Sequence, residues 1–204
     1  MIPRLHLIAG AATLRAPGWE AQMQALATRR DGRIAVHLRA PDLPGGALQA
    51  AAARFRAAYP HLPLWINDRV DVAAAVGADG VQLGQGSLAV DEARACLPPS
   101  VTVGASVHDV AEATAGRVAD ADLLVVGTVY ASASHPGRPG AGPALLERIA
   151  RVDGRPLVAI GGVTPARVAE VRAAGAWGVA VQRGVWEAPD PLAAVDAYLD
   201  CLLR

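Results

Sequence analysis

Eight short runs of nearly continuous apolar residues recur along the chain, separated by Ala- and Arg-rich stretches with helical periodicity. Strands that are covered on both faces have this continuous apolar character. The predicted strands span residues 5–10, 34–39, 62–68, 80–84, 101–107, 123–129, 156–162 and 178–184. The predicted helices span residues 19–29, 46–59, 70–76, 89–97, 110–118, 144–151, 166–174 and 192–203. Strict β-α alternation through eight units predicts an α/β fold, a single (β/α)8 barrel domain over residues 1–204. An open doubly wound sheet would normally have fewer strands and a phosphate loop after the first one.

The last predicted strand-helix-strand unit, residues 156–184, contains two glycine-bearing turns. Gly161 and Gly162 carry no Cβ, so the backbone there can approach an anion, and Thr164-Pro165 indicates a helix start nearby. In a barrel of this kind, the loops after the seventh and eighth strands are the usual phosphate site. The predicted phosphate-binding residues are Gly161, Gly162, Gln182, Arg183 and Gly184. For the Arg183 side chain, pairing with a neighbouring acid is an equally good interpretation.

Polar residues follow most of the other predicted strands, at the barrel face that builds active sites. They are His37, Arg39, Asn67, Asp68, Gln82, Gln85, Ser106, His108 and Thr128. The Gly-, Pro- and Ser-rich loop 131–142 follows strand six and is a candidate lid that carries Ser132, Ser134 and His135. For three of these residues a structural role competes with a functional one. Asp68 could be a helix cap or a polar tie, His108 a surface or capping residue, and His37 a core histidine.

All 19 basic residues are arginines, balanced by 19 acidic ones. The absence of lysine excludes a Schiff-base aldolase, a pyridoxal-phosphate enzyme with its own lysine and a P-loop nucleotide binder. A net charge of zero gives no basic field for nucleic acid. We expect a cytoplasmic protein without a membrane segment, in which Cys96 and Cys201 are buried free thiols. We expect His6 and His61 to be structural, without a converging partner.

Several motifs together resemble the thiamine phosphate synthase and TenI superfamily of barrels. They are INDRVDVAAAVGADGVQLGQ, SVHDVAEA and AIGGVTPARVAEVRAAGAWGVAV, and with the strand-six loop the likeness covers about residues 34–191. Members either join a thiazole phosphate to a pyrimidine pyrophosphate, or isomerise a thiazole carboxylate phosphate, or have no settled activity. The resemblance therefore implies a small phosphorylated thiazole as ligand. The sequence does not decide whether the protein is a monomer or a homo-oligomer.

The resemblance assigns roles to individual residues. It implies that Gly162 and the backbone at Gln182 and Arg183 hold the thiazole phosphate. Arg39 matches the arginine of a strand-two Q-x-R-x-K pattern, in which this chain has His37 and Pro41 instead of Gln and Lys.

Other matches and departures concern the pyrimidine and the metal. Asn67 and Asp68 match a strand-three pair whose Asp binds magnesium in synthases, and Ser106 matches a strand-five serine. Gln82 stands where synthases commonly have a His that contacts the pyrimidine. Ser87 replaces the second magnesium carboxylate, and His135 aligns with the strand-six lysine that synthases place on the pyrophosphate.

These departures favour a TenI-like thiazole tautomerase, since displacing pyrophosphate needs more positive charge than a proton shift does. In this hypothesis Arg39 binds the carboxylate and no cofactor is needed. His135 or His108 carries the proton, with Thr128 standing where tautomerases have a His. One alternative is a thiamine phosphate synthase that uses Mg²⁺. In that case Asp68 is a weak candidate for the metal ligand. Another alternative is a non-catalytic or regulatory protein that binds thiazole phosphate.

Overall fold

The computed structural model describes residues 2–28, 32–132, 137 and 139–203. Eight parallel strands pair in sequence order, and the first also pairs with the eighth, so the sheet closes into a barrel. The strands are β1 (Leu5–Ala9), β2 (Ile34–Leu38), β3 (Leu64–Asn67), β4 (Gly80–Leu83), β5 (Thr102–Val107), β6 (Leu123–Val126), β7 (Leu157–Ile160) and β8 (Ala176–Val181). This closed barrel, with helices between its strands, confirms the predicted fold class.

The helices lie outside the barrel, and most begin and end within a few residues of the predicted bounds. They are α1 (Ala11–Leu14), α2 (Trp19–Ala27), α3 (Gly45–Ala58), α4 (Val70–Val76), α5 (Val90–Ala95), α6 (Val110–Ala113), α7 (Ala144–Ala150), α8 (Val168–Ala173), α9 (Arg183–Trp186) and α10 (Pro191–Leu203). Short 3₁₀ turns span Gly116–Val118 and Pro165–Arg167. Among the described residues, no helix combines the length and the apolar character needed to cross a membrane.

Two local predictions are wrong, and one short helix was not predicted. The run predicted as strand through residue 184 leaves the sheet after Val181, and residues 183–186 form a helical turn. The predicted helix over 110–118 ends at Ala113, because the backbone at Ala115 is extended. The sequence pattern also missed α1 directly after β1. These differences all lie at the ends of strands or in their connections, where propensity is a weak guide.

Residues on alternate strand positions face either the helices or the barrel interior. A separate buried cluster of seven residues, with Trp65 as its largest member, fills the interior. Gly80 makes room for that indole, because a Cβ at Gly80 would lie 2.3 Å from a Trp65 ring atom. The barrel is therefore packed through its middle, and free space remains at one end.

The two cysteines do not fit the predicted environment. Cys96 is exposed at the end of α5 and Cys201 is half-buried on α10. Both are free thiols, as expected, but the prediction that they are buried is wrong. An apolar helical pattern alone does not say which flank of the helix a given residue occupies.

Candidate active site at the carboxyl end of the barrel

A cavity of about 710 Å³ opens at the carboxyl ends of the strands. Its volume lies within the range of small-molecule sites. Predicted site residues that line it are Arg39, Asn67, Asp68, Ser106, His108, Thr128, Ser132, Gly161, Gly162, Gln182, Arg183 and Gly184. Ser134 and His135 lie outside the described residues, so the catalytic role of His135 stays a prediction.

The first wall of the cavity consists of the two glycine-bearing turns. Gly161 and Gly162 both have positive φ, at 96° and 63°. A Cβ at Gly161 would lie 2.5 Å from Thr128 Cγ2, and one at Gly162 would lie 2.6 Å from the Ala131 carbonyl oxygen. Both positions therefore require glycine for conformation and for contact with the strand-six loop.

The same turns leave backbone donors unused. Among the described residues, no backbone hydrogen bond uses the N–H groups of Gly161, Gly162, Arg183 or Gly184. Unpaired N–H groups on adjacent turns form a concave surface that suits an anion. The surface lies on the loops after β7 and β8, where the sequence predicted a phosphate site; phosphate binding there stays a prediction.

The Arg183 side chain is engaged elsewhere. Its Nε lies 2.9 Å from both carboxylate oxygens of Glu187, one helical turn further on. The structure thus shows the acid pairing that the sequence left open. Both side chains are about half exposed, so this pair contributes little to stability.

Tyr198, which the sequence analysis missed, links the two turns from beneath. It belongs to α10 and is 1% exposed, and its hydroxyl donates a 2.8 Å hydrogen bond to the Val163 carbonyl. A Cβ at Gly184 would lie 2.5 Å from the same hydroxyl oxygen. Burial raises the pKa of Tyr198 to about 12, so it remains a neutral donor. In the sequence it is one apolar position of a helix, which gives no sign of this contact.

The opposite wall is formed by the ends of β2 and β3. Arg39 is exposed and, among the described residues, forms no ion pair or side-chain hydrogen bond. Arg183 and His108 also line the cavity, but each is paired with a glutamate. Arg39 is therefore the free cation of the described cavity wall, placed where a ligand's negative charge can reach it.

Asp68 adopts a strained conformation between β3 and α4, with φ at 64°. Its Oδ1 accepts a 2.9 Å hydrogen bond from the Gly84 N–H and a second one from the Ser87 hydroxyl. The cap of α4 is Arg69, not Asp68. Asp68 thus links the turns after β3 and β4 through hydrogen bonds, and it is not the N-cap of α4.

Magnesium fits this site only in a limited sense. The described residues contain no group of three or more His, Cys, Asp or Glu that could hold a metal ion. Mg²⁺ is, however, commonly held by one or two carboxylates together with substrate phosphates. Asp68 lines the cavity, and no hydrogen bond among the described residues uses its Oδ2. It could therefore hold Mg²⁺ that a phosphorylated substrate also binds.

His37 and Gln82 are not on the cavity wall, although the sequence analysis placed both in substrate binding. They are 1% and 4% exposed and lie in the barrel interior below the cavity. The Gln82 Nε2 donates to the Ser106 hydroxyl at 2.9 Å, and its Oε1 is buried without a partner. His37 lies 3.2 Å from the Asn67 amide. Both residues therefore support cavity-lining side chains from beneath.

His6 has a partner after all, contrary to the prediction. Its Nδ1 lies 2.8 Å from the His37 Nε2, and its Nε2 lies 3.1 Å from the Pro3 carbonyl oxygen. Burial lowers the pKa of His6 to about 4 and holds the pKa of His37 well below 6.5. The nearby His6 lowers the His37 value further. Both rings are neutral at pH 7.

His108 and Thr128 occupy the rim and the wall respectively. The His108 Nδ1 lies 2.9 Å from Glu112, which also accepts a hydrogen bond from Gln85. The His108 side chain is 56% exposed. Asp109 caps α6 by accepting a hydrogen bond from the Glu112 N–H. Thr128 lines the cavity beside Gly161. A proton carrier at His108 would thus act from the rim, while it is paired with a carboxylate.

Comparison with known proteins identifies the family. The family described as thiamine monophosphate synthase matches residues 5–185. The chain belongs to this family. It is 42% identical to a thiamine-phosphate synthase of Methanoculleus marisnigri, over 83% of this chain and 82% of that protein. It is 47% identical to a bifunctional thiamine biosynthesis protein ThiM/ThiE of Symbiobacterium thermophilum, over 83% of this chain but 36% of that longer protein.

Solved structures agree with this family assignment. A thiamine phosphate pyrophosphorylase from Pyrococcus furiosus superposes with a TM-score of 0.82 at 28% identity, covering 98% of this chain and 95% of that one. A 3-hexulose-6-phosphate synthase reaches 0.71 at 17% identity, covering 98% and 99% of the two chains, and shows the shared fold alone. The resemblance drawn from the sequence motifs is thereby confirmed at the level of the thiamine monophosphate synthase family.

Proposed function

We propose that this protein is a thiamine-phosphate synthase, which joins a thiazole phosphate to a pyrimidine that carries a pyrophosphate and releases the pyrophosphate. Relatives at 42% and 40% identity are named thiamine-phosphate synthases, from Methanoculleus marisnigri and Roseiflexus castenholzii. These names support the alternative given by the sequence analysis better than its first choice, the tautomerase.

The observation that carries the proposal is that the cavity has two walls of different chemistry. One wall is a surface of unpaired backbone N–H groups, which suits a phosphate monoester. The other carries the unpaired guanidinium of Arg39 together with Asn67 and Asp68. A cavity of about 710 Å³ leaves room for two small molecules side by side. A transferase needs such an arrangement, because each substrate must have its own anchor.

In this proposal the residues divide their tasks by wall. The turns at Gly162 and Gly184 hold the thiazole phosphate, and so fix the ring relative to the second substrate. Arg39 neutralises charge on the pyrophosphate as its bond to the pyrimidine breaks. Asp68 would hold Mg²⁺ with pyrophosphate oxygens, and the ion would supply further neutralisation of the leaving group. Ser106, whose hydroxyl accepts a hydrogen bond from Gln82, would bind the pyrimidine.

The test combines both substrates with Mg²⁺ and the full chain. Pyrophosphate release should match thiamine phosphate formation, measured by mass spectrometry, and should require both substrates. Arg39→Gln should lower kcat/KM by about 30-fold or more, since losing one charge contact to the leaving group costs about 2 kcal/mol or more. Absence of product, while both substrates still raise the melting temperature, would favour a non-catalytic binding protein.

A second candidate, the thiazole tautomerase, is favoured by one specific observation. Ser87 donates a hydrogen bond to Asp68 at a turn where the family resemblance implies a second metal carboxylate. A single carboxylate is a weak metal site, and tautomerisation needs no metal. The competing assay follows isomerisation of thiazole carboxylate phosphate by NMR without Mg²⁺. Isomerisation without any pyrophosphate release would replace the synthase proposal by this one.

A further inference from the structure

A chain of buried hydrogen bonds runs up the inside of the barrel to the cavity wall. It begins at the Pro3 carbonyl, passes through the His6 and His37 rings, and ends at the amide of Asn67. His6 and His37 are 0% and 1% exposed, and the His37 ring stacks on Trp65 with centroids 5.0 Å apart. Asn67 lines the cavity. Each link of this chain must have one donor and one acceptor.

Counting protons along the chain fixes every link. A carbonyl oxygen accepts only, so the His6 Nε2 must carry a proton toward Pro3. A neutral imidazole has one N–H, so the His6 Nδ1 is an acceptor. The His37 Nε2, 2.8 Å away, must therefore be the donor, and the His37 Nδ1 becomes an acceptor.

The last link sets the orientation of an amide. Asn67 approaches the His37 Nδ1 at 3.2 Å and, among the described residues, its side chain has no other hydrogen-bond partner. Facing an acceptor, it must present its NH₂ group, whereas the structure places the amide oxygen toward His37. The two ends of an amide have nearly the same shape, so hydrogen-bond chemistry decides between them. The opposite assignment would require either a charged ring in the barrel interior, where no described acid contacts either histidine, or an unprotonated His6 Nε2 that faces the Pro3 carbonyl oxygen at 3.1 Å.

We infer that His6 is a positioning residue: by accepting a hydrogen bond from His37, it fixes Asn67 so that its amide oxygen, not its amide nitrogen, faces the cavity. Beside the Asp68 carboxylate, this oxygen makes the wall after β3 a hydrogen-bond acceptor. Such a wall accepts a hydrogen bond from an N–H group of the second substrate, and it can approach phosphate oxygens only through a cation such as the Mg²⁺ proposed at Asp68. Direct contacts to phosphate groups are thereby left to Arg39 and to the glycine-bearing turns.

The first experiment measures the tautomers directly. In the ¹⁵N-labelled full chain at pH 7, long-range ¹H–¹⁵N correlation spectra should show His6 and His37 both as the Nε2–H tautomer. A His37 ring protonated on Nδ1, alone or on both nitrogens, would overturn the inference. This readout does not depend on the proposed function.

The second experiment rests on the proposed function and uses His6→Leu, which removes the acceptor. His37 should then populate both tautomers. The KM for the pyrimidine substrate should rise roughly fivefold to tenfold, the equivalent of one oriented hydrogen bond. The KM for the thiazole phosphate should stay unchanged, because the glycine-bearing turns do not contact the hydrogen-bonded series Pro3–His6–His37–Asn67. Val158→Ala, in the same buried interior cluster, is the packing control and should leave both KM values alone.

The two experiments can refute the positioning role and the proposed function independently of each other. A folded His6→Leu protein with both KM values unchanged would refute the positioning role, whatever the wild-type tautomers. If His6→Leu does not fold, the wild-type spectrum still decides the orientation of Asn67. If the wild-type protein makes no thiamine phosphate but shows both Nε2–H rings, the proposed function fails and the tautomer assignment stands.

Discussion

The contact between Gly184 and Tyr198 predicts a mutation whose cost a second mutation removes. In Gly184→Ala, the new Cβ would lie 2.5 Å from the Tyr198 hydroxyl oxygen but 3.6 Å from Cζ, an ordinary contact. The hydroxyl alone is therefore in the way. It cannot move freely, because it donates the 2.8 Å hydrogen bond to the Val163 carbonyl. Forcing an extra methyl group into a packed site typically costs about 1–3 kcal/mol.

Tyr198→Phe removes that hydroxyl at its own cost. Losing one neutral hydrogen bond lowers the free energy of unfolding by about 1 kcal/mol. If the two effects were independent, the double variant would lose about 2–4 kcal/mol. We expect it to lose only about 1 kcal/mol, because the phenyl ring leaves space for the methyl group.

Urea unfolding followed by circular dichroism measures all three variants, with stability compared through midpoints at constant slope. Gly46→Ala is a matched control, because it lies in α3 and a Cβ there meets nothing within 4 Å. It should stabilise the protein slightly, as alanine does in a helix. Additive losses in the double variant would show that Tyr198 does not occupy the space between the two turns.

Three further predictions concern the cavity and the buried histidines. Gly162→Ala should destabilise the protein by at least about 1 kcal/mol, because its φ is positive, and should abolish the thermal shift caused by thiazole phosphate. Arg183→Gln should change kcat/KM less than about threefold, because its side chain is held in a surface ion pair, in contrast to Arg39→Gln; equal losses in both would refute the assignment of Arg39 as the free cation. The pKa of His6 falls from 6.5 to about 4 on folding, so the unfolded chain binds the extra proton and stability is lost as pH falls from about 6.5 toward 4. His6 should contribute about 3 kcal/mol to this loss in urea titrations, and His6→Leu should reduce the pH dependence by about that amount, leaving the part that the buried His37 causes; an unchanged pH dependence in the variant would contradict this.

The barrel could be predicted from the sequence because its periodicity is unambiguous. Continuous apolar runs alternate eight times with helical stretches, and parallel strands bring their carboxyl ends to one face. Arg39, Asn67 and Gly162 reached the cavity for that reason alone.

What the sequence could not reveal is the depth of a residue along the barrel axis. His37 lies two residues before Arg39 and faces the same way, but that spacing also places it lower, inside the packed interior. Gln82 is misplaced for the same reason. His6 meets His37 through the stagger between β1 and β2, which pattern reading does not supply. Tyr198 comes from α10, whose docking onto the turns is a tertiary contact.

The closure of the sheet through β1 and β8 has a consequence for the order of assembly. Leu5, His6 and Leu7 pair with residues 179–181, so the ring is completed across nearly the whole length of the chain. Contacts so distant in sequence form late, because they carry a large loop-closure entropy. The turn after β8 supplies half of the surface of unpaired N–H groups, so folding intermediates that lack β8 cannot bind phosphate well. A phosphorylated ligand should therefore slow unfolding far more than it speeds folding. A molecule in which β1 and β8 had separated would expose two unpaired strand edges, which favour aggregation.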